Sequence, residues 1–333
     1  MIEVRNLSKK YGNFEAVRGI SFSVDKAEVL GFLGPNGAGK TTVMKMLTGY
    51  HFPNSGQIII DGISVPDEPV EIKKKIGYLP ESNPLYGELS PEEYLYFMAS
   101  SRLITGKNRR ISVDLAITAC GLEEHRKQRI DSLSKGYRQR VGLAQAIIHD
   151  PEILILDEPT SGLDPNQIIE IRSLIRELGK SKTVILSTHI LQEVEAVSQR
   201  VLILNEGKIA AQGTSGEIAA SLKGGGRDTW ELLLKGAKEK ELKKNLLQLG
   251  AEAANLSIEK LQNGIFALNF VLSGSRSNDG ELIFDWAVKE GYKIIGMKQK
   301  KLSLEDIFVK LTNVPLPEGA AEPSFLSGRG KKQ

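Results

Sequence analysis

A nine-residue segment, GPNGAGKTT, contains the residues best suited to chemistry in this 333-residue chain. It runs from Gly34 to Thr42, directly after the apolar stretch EVLGFL. Residues 34–41 match the pattern G-x-x-x-x-G-K-[ST], in which glycines let successive backbone N–H groups point at phosphate oxygens. The alternative is an ordinary glycine turn between a strand and a helix. The full match, after an apolar strand and before a helix, favours a phosphate-binding loop.

Each residue type in the predicted loop has a chemical use. The start of the following helix would present its positive dipole end to a phosphate. Lys40 supplies a charge for the β- and γ-phosphates, and the Thr41 hydroxyl can bind Mg²⁺. The predicted nucleotide-binding residues of the loop are Gly34, Pro35, Asn36, Gly37, Ala38, Gly39, Lys40, Thr41 and Thr42.

Two adjacent carboxylates, Asp157 and Glu158, end the apolar segment ILILDEP. Ligands of α/β proteins bind at the carboxyl ends of buried parallel strands, and an unpaired carboxylate is costly to bury there. Asp157 suits Mg²⁺, directly or through water, and Glu158 can orient or deprotonate an attacking water. A charged strand end that faces solvent is the alternative for either acid alone. The phosphate loop in the same chain favours the catalytic interpretation.

The segment LSKGYRQR, Leu133 to Arg140, completes a set of motifs. With the loop and the acids, it resembles the ATP-binding subunits of ABC transporters, whose signature sequence is usually LSGGQ. The resemblance implies that Ser134 and Gly136 contact the γ-phosphate of an ATP held by the loop of a second subunit. Lys135 replaces the usual first glycine and Tyr137 the usual glutamine, which puts the details of that contact in doubt.

Further residues match the family in the expected order. The resemblance implies that Tyr11 stacks on adenine and that SGLD, ending at Asp164, is the D-loop. It also implies that His189 contacts the γ-phosphate. Glu81 stands where the family commonly has a glutamine that contacts Mg²⁺ and senses the membrane partner. A carboxylate there can still bind Mg²⁺ or hold water, but it adds negative charge beside a triphosphate.

Two weaker patterns narrow the resemblance to one subgroup. YLPE and the segment LSLEDIFVKLT resemble the exporter ATPases that pair with ABC-2-type permeases, namely the gliding-motility, multidrug and sodium-export subunits. This implies a peripheral ATPase on the cytoplasmic face of the cell membrane, with ATP and Mg²⁺ as ligands and a separate transmembrane permease as partner. Each motif occurs once, so the resemblance also implies a homodimer or a paired ATPase subunit.

Two other functions stay open at this point. A soluble ABC ATPase that acts on ribosomes or nucleic acid is one, although such translation factors usually carry two cassettes and DNA-repair relatives insert long coiled coils. An importer subunit is the other. The formal net charge of +3 gives no reason to expect direct nucleic-acid binding. Cys120 is the single cysteine, which excludes an internal disulfide, and no run of about 18 apolar residues predicts a membrane-spanning helix.

Several short patterns predict individual elements. Ser90, Pro91 and Glu93 in LSPEEYLYFMA predict the start of a helix with a capping box. Asp61 and Gly62 in QIIIDGISV predict a hairpin turn. Beyond residue 228, the segments TWELLL, IFALNFVL and YKIIGMKQ resemble strands, whereas KEKELKKNLLQLG and ELIFDWAVKEG resemble helices.

The expected fold class is α/β. The resemblance implies a P-loop ATPase domain over residues 1–222, with a mixed sheet core, an antiparallel β subdomain and a helical subdomain. Three adjacent glycines at 224–226 predict a boundary. Residues 228–313 are then expected to form a small α+β domain with a regulatory or dimerising role. Residues 314–333, rich in Pro, Gly, Ser and Lys, are expected to be a flexible tail.

Overall fold

The computed structural model describes residues 1–214, 216–218, 229–237, 239–252, 256–272, 278–300, 308 and 312. The chain divides into two compact units, Met1–Thr214 and Ser215–Gln333. Three features that the sequence singled out lie outside the described residues: the glycines at 224–226, the tail at 314–333, and the segment LSLEDIFVKLT apart from Phe308 and Thr312.

The described strands of the first unit form two sheets. In chain order they are β1 (Ile2–Tyr11), β2 (Phe14–Val24), β3 (Val29–Leu33), β4 (Ser55–Ile60), β5 (Ile63–Ser64), β6 (Ile76–Leu79), β7 (Ile153–Asp157), β8 (Thr183–Thr188), β9 (Arg200–Asn205) and β10 (Lys208–Gly213). One sheet is antiparallel, with the order β2-β1-β4-β5. The other has the order β10-β9-β3-β8-β7-β6 and is parallel except for β10 at its edge. This second sheet holds the site, because β3, β8 and β7 end side by side.

Seven helices lie within the described part of the first unit. They are α1 (Lys40–Leu47), α2 (Pro69–Lys75), α3 (Pro91–Ser101), α4 (Gly106–Ala119), α5 (Lys135–Ile147), α6 (Pro165–Leu178) and α7 (Leu191–Val197). Ser90 caps α3 by accepting from the Glu93 backbone N–H at 3.3 Å, and Glu93 Oε2 accepts from the Ser90 N–H at 2.8 Å. The predicted capping box is confirmed.

The mixed sheet is buried on both faces, and its strands alternate between two cores. Ile153 and Ile155 of β7 pack into a core shared with α1 and the antiparallel sheet. Leu154 and Leu156 pack into the core beneath α3, α4 and α5. Since successive side chains point to opposite faces, a strand buried on both sides is apolar at every position. That is why ILILDEP shows no polar alternation before its acids.

The hairpin predicted at Asp61 and Gly62 is present between β4 and β5. Ile60 pairs with Ile63, and the two turn residues have φ values of +48° and +79°. A two-residue turn with positive φ at both positions matches the right-handed twist of paired strands. Asn, Asp and Gly tolerate such φ values best, so the dipeptide explains the turn.

The second unit has its own core and a four-stranded antiparallel sheet. Its described elements are β11 (Thr229–Lys235), α8 (Glu239–Leu249), β12 (Ser257–Lys260), β13 (Ile265–Val271), α9 (Asp279–Lys289) and β14 (Lys293–Lys300). The strand order is β12-β13-β11-β14. Trp230, Phe266, Phe270 and Trp286 contribute to the core. The expected strands and helices are present, and β12 is an addition that the sequence did not predict.

Candidate functional site

The glycine loop connects β3 to α1 and is packed closely against two other strands. A Cβ at Gly34 would collide with the carbonyl oxygen of Leu204 in β9. A Cβ at Gly39 would lie 2.5 Å from the carbonyl oxygen of Ala16 in β2, and Gly39 has a φ of +105°. Both positions therefore need glycine for close backbone approach, and Gly39 also needs it for its conformation. The loop is built as part of the fold and not as a loose connection.

Lys40, the first residue of α1, is buried and turns back into the loop. Its Nζ donates to the carbonyl oxygen of Gly34 at 2.8 Å and lies 3.3 Å from that of Pro35. The same Nζ is 3.4 Å from Glu158 Oε1. A charge held in this low-dielectric position interacts strongly with a neighbouring anion. The arrangement places one desolvated cation at the centre of the predicted phosphate cradle.

Asp157 ends β7 directly beside the start of α1. Its Oδ1 accepts from Ser187 Oγ at 2.5 Å and from Thr41 Oγ1 at 3.3 Å. Its Oδ2 is buried and has no hydrogen-bond partner within the described part of the chain. Burial raises the pKa of the Asp157 carboxyl, while the hydroxyls of Ser187 and Thr41 lower that pKa. An orphaned carboxylate oxygen of this kind is ready to bind a cation.

Glu158 follows in a strained backbone conformation, with a φ of +50°. Its N–H donates to the carbonyl oxygen and to Oγ of Ser187, each at 3.1 Å. Its Oε2 lies 2.9 Å from His189 Nδ1, and its Oε1 faces Lys40. Left-handed residues other than glycine persist where the surrounding structure holds them, and they cluster at functional sites. The turn directs the carboxylate between an ammonium and an imidazole.

A cleft of about 370 Å³ lies above these residues. The loop and an aromatic pair, Tyr11 and Phe14, both line it. It is lined by Tyr11, Phe14, Ala16, Asn36, Gly37, Ala38, Gly39, Lys40, Thr41, Thr42, Glu81 and Glu158. Asp157 and His189 join this set through their bonds to Thr41 and Glu158, and Gly34 and Pro35 through their bonds to Lys40.

Three further predicted nucleotide contacts, among the described residues, neither line this cleft nor bond to a residue that lines it. Ser134 caps α5 by accepting from the Tyr137 N–H at 3.4 Å, and Gly136 is buried against the side chain of Gln167. Asp164 caps α6 by accepting from the Gln167 N–H at 3.0 Å. Within the chain, therefore, the signature segment and the phosphate loop belong to different surfaces.

Comparison with known proteins decides the family. A family model for ABC transporters matches residues 17–161. The uncharacterized ABC transporter ATP-binding protein YxlF of Bacillus subtilis is 32% identical over 313 residues, which cover 94% of this chain and 100% of that protein. This chain is an ABC transporter ATP-binding subunit. It is an ATPase of the P-loop α/β class, so the resemblance, the fold class and the enzymatic activity expected from the sequence are confirmed.

Two further similarities concern a protein of antibiotic resistance and a solved dimeric structure. The linearmycin resistance ATP-binding protein LnrL of Bacillus subtilis is 36% identical over 242 residues, covering 72% of this chain and 76% of that protein. A solved dimeric structure of the ATP-binding cassette MJ0796, in a post-hydrolysis state with ADP and phosphate, is 25% identical with a TM-score of 0.59. It covers 64% of this chain and 98% of that one.

The oxygen donors at the loop resemble a magnesium site that is completed by substrate phosphates. They do not resemble a site in which the protein supplies every metal ligand. No group of three or more His, Cys, Asp or Glu side chains that could hold a metal occurs among the described residues. Mg²⁺ is usually bound through one or two carboxylates together with substrate phosphates. The free Oδ2 of Asp157, the Thr41 hydroxyl and the nearby Glu81 carboxylate match that description.

Two residues of the ATPase site were missed by the sequence analysis. Ser187 contacts both acids, and its position two residues before His189 in STH was the available signal. Phe14 lines the cleft beside Tyr11, and its position across a short turn from Tyr11 was the available signal. A serine within a strand and a phenylalanine at the start of one form no pattern of their own, so the sequence alone does not distinguish either residue.

Proposed function

We propose that this ATPase powers export of a compound through a separate ABC-2-type permease, as a peripheral subunit on the cytoplasmic face of the membrane. The observation that carries the proposal is the 36% identity over 242 residues to a linearmycin resistance protein. Resistance to an antibiotic by an ATP-binding subunit is the effect expected of an exporter. No described helix is long and apolar enough to span the bilayer.

The geometry supports a role for each residue of the site. Lys40 turns from the loop carbonyls to the β- and γ-phosphates when a nucleotide enters. Thr41, Asp157 and Glu81 would hold Mg²⁺, which would neutralise charge on the phosphate oxygens. Glu158, released from Lys40 and still bound to His189, accepts the proton of the attacking water. His189 would orient Glu158 through Nδ1 and contact the γ-phosphate through Nε2.

The separation of the signature from the loop supports a dimer. We propose that Ser134 and Gly136 of one copy close over the loop of a second copy, or of a paired ATPase subunit, with Asp164 beside them. Tyr11 would then stack on the base in each cleft. The dimeric state of the related cassette supports this arrangement. ATP would then favour the closed pair, and hydrolysis would release it.

Glu81 is placed to connect the nucleotide to the permease. It lines the nucleotide cleft and also a neighbouring cleft of about 500 Å³, whose other lining residues include Tyr78, Tyr94 and Arg102. Helices between residues 84 and 149 border this second cleft and would carry dimer closure to the membrane partner. Because Glu81 lines both clefts, its side chain can respond to a nucleotide in the first cleft or to a permease segment in the second.

The ATPase part of the proposal is tested with Glu158→Gln. The variant keeps the size of the side chain but cannot accept a proton, so it should bind ATP normally, hydrolyse it at least about a hundredfold more slowly and accumulate as dimers. Turnover and light scattering with Mg²⁺ and ATP measure both effects. Glu71→Gln, an exposed acid of α2, is the matched control. Normal turnover in Glu158→Gln would contradict the role of Glu158.

The transport part is tested in cells that lack the gene. The wild-type chain, but not Glu158→Gln, should restore growth in the presence of linearmycin or of the compound that the permease carries. The trapped variant should also cross-link to an integral membrane protein. Sedimentation of the variant with ribosomes, without any membrane partner, would favour the soluble function and overturn the exporter proposal.

A further inference from the structure

Phe14 lines the nucleotide cleft and has 60% of its surface exposed. It is the first residue of β2 and pairs directly with Tyr11, the last residue of β1. Directly opposite residues of an antiparallel pair project from the same face of the sheet. The intervening turn, with Gly12 at a φ of +57°, therefore holds two aromatic side chains on the same face of the sheet, and both line the cleft.

The surroundings of Tyr11 define which part of its ring is available. The Lys9 ammonium lies 5.4 Å from the ring centroid on one face, and it is fixed by donating to the carbonyl oxygen of Phe52 at 2.7 Å. The His51 ring meets Tyr11 edge-on, with centroids 6.0 Å apart. A flat base can therefore stack only on the face of Tyr11 that Lys9 leaves open. Stacking on a single ring would leave the other surfaces of the base in water.

We propose that Phe14 is a second aromatic wall of the base subsite, so that a nucleotide base is bounded by Tyr11 and Phe14 together. The inference rests on the assignment of the loop as the phosphate site, since the phosphates fix which end of the cleft the base occupies. Phe14 carries no polar side-chain atom. Its contribution is stacking area and exclusion of water, which every base accepts, and not discrimination between adenine and guanine.

The test compares ligands with and without a base. Dissociation constants are measured for a non-hydrolysable ATP analogue, the matching GTP analogue and inorganic tripolyphosphate. Loss of one stacked aromatic side chain should raise the constant of Phe14→Ala about tenfold for both nucleotides. Tripolyphosphate binding should not change, and Phe14→Tyr should restore nucleotide affinity. Phe284→Ala, which removes a phenylalanine of 54% exposure in the second unit, is the matched control.

The outcomes separate this inference from the proposal it rests on. If Phe14→Ala binds the ATP analogue within about twofold of wild type, the second wall does not exist. If tripolyphosphate affinity falls as much as nucleotide affinity, Phe14 supports the loop and not the base, and the inference is equally wrong. If the wild-type chain binds neither the nucleotides nor tripolyphosphate, the phosphate-loop assignment fails first.

Discussion

Ser187 connects the two acids of the site at the scale of single residues. Its hydroxyl donates to Asp157 Oδ1, while its Oγ and its carbonyl oxygen accept from the Glu158 N–H. One short side chain thus favours the charged form of the candidate magnesium ligand and also fixes the left-handed turn that aims the candidate base. The sequence predicts Mg²⁺ binding by Asp157 and proton abstraction by Glu158, and both roles depend on Ser187 in the neighbouring strand.

Ser187→Ala should slow ATP hydrolysis and change its pH dependence. Without the hydroxyl, less opposes the effect of burial, so the pKa of the Asp157 carboxyl rises further. The neutral acid does not bind Mg²⁺, so the acidic limb of the rate profile should move to higher pH. The profile of turnover against pH, at saturating ATP and several Mg²⁺ concentrations, measures the shift. Ser181→Ala, which removes an exposed hydroxyl, is the control. An acidic limb that is unchanged in Ser187→Ala would contradict this role.

At the scale of elements, the site depends on where β3, β7 and β8 end. β8 lies between β3 and β7, so Ser187 near its end and His189 just after it belong to the strand between the phosphate loop and the acids. Parallel strands end at one edge of a sheet, and helices that start or stop there can position charges. The N-termini of α5 and α6 belong to the proposed dimer surface. They are capped by Ser134 of the signature segment and by Asp164 of the D-loop.

The capping box of α3 gives an element-scale prediction. Ser90→Ala removes the acceptor for the Glu93 N–H, which should lower the free energy of unfolding by about 1 kcal/mol. Urea unfolding of the full chain measures the change. Ser101→Ala, at the other end of α3, removes a hydroxyl that donates to Met98 within the helix and should cost less than about 0.5 kcal/mol. Equal losses in the two variants would mean that the capping box contributes no special stability.

The second unit shows how an open sheet edge is protected. β14 is an edge strand of its sheet, and the pairing register with β11 shifts between Leu233 and Leu234. Lys293 and Lys298 place charges along that strand. Lysines and bulges discourage pairing with other chains at an edge. The dimer proposed for this protein is therefore assigned to the ATPase surfaces, and the regulatory or dimerising role expected for residues 228–313 stays a prediction.

At the scale of the whole molecule, a half-buried histidine links stability to pH. His149 follows α5, and its Nε2 lies 3.1 Å from the carbonyl oxygen of Ile76. Its Nδ1 is buried without a hydrogen-bond partner in the part of the chain that the structure describes. Burial, followed by the charges of Arg102 and Lys182, lowers the pKa of His149 to about 4. The folded protein therefore holds a neutral imidazole at pH values where the unfolded chain binds a proton.

Stability should consequently fall as the pH drops from about 6.5 toward 4. In that window the unfolded state binds more protons than the folded state, so acidification favours unfolding, by up to about 3 kcal/mol for this group. His149→Gln can keep the contact with Ile76 without titrating, and it should remove much of the decline. Midpoints of urea unfolding between pH 4 and 7 measure it. Parallel declines in wild type and variant would exclude His149 as the cause.

The sequence by itself determined the features that close over a few residues. Three such features are the glycine loop, the capping box at Ser90 and the turn at Asp61. Each joins groups no more than about eight positions apart, so a short stretch of sequence is enough to predict it. The short strand β12 escaped prediction because Ile258 is its single apolar residue and gives no periodic pattern. The family followed from the order of several such local motifs.

The tertiary structure alone decided how those motifs meet. The bond from Thr41 to Asp157 spans 116 positions, and those from Ser187 to Asp157 and from His189 to Glu158 span 30 and 31. Such contacts depend on the order of strands in the sheet, which arises from packing two apolar faces at once and leaves no local pattern. For the same reason, separate motifs predict Lys40 and Glu158, and only the fold brings Lys40 Nζ within 3.4 Å of Glu158 Oε1.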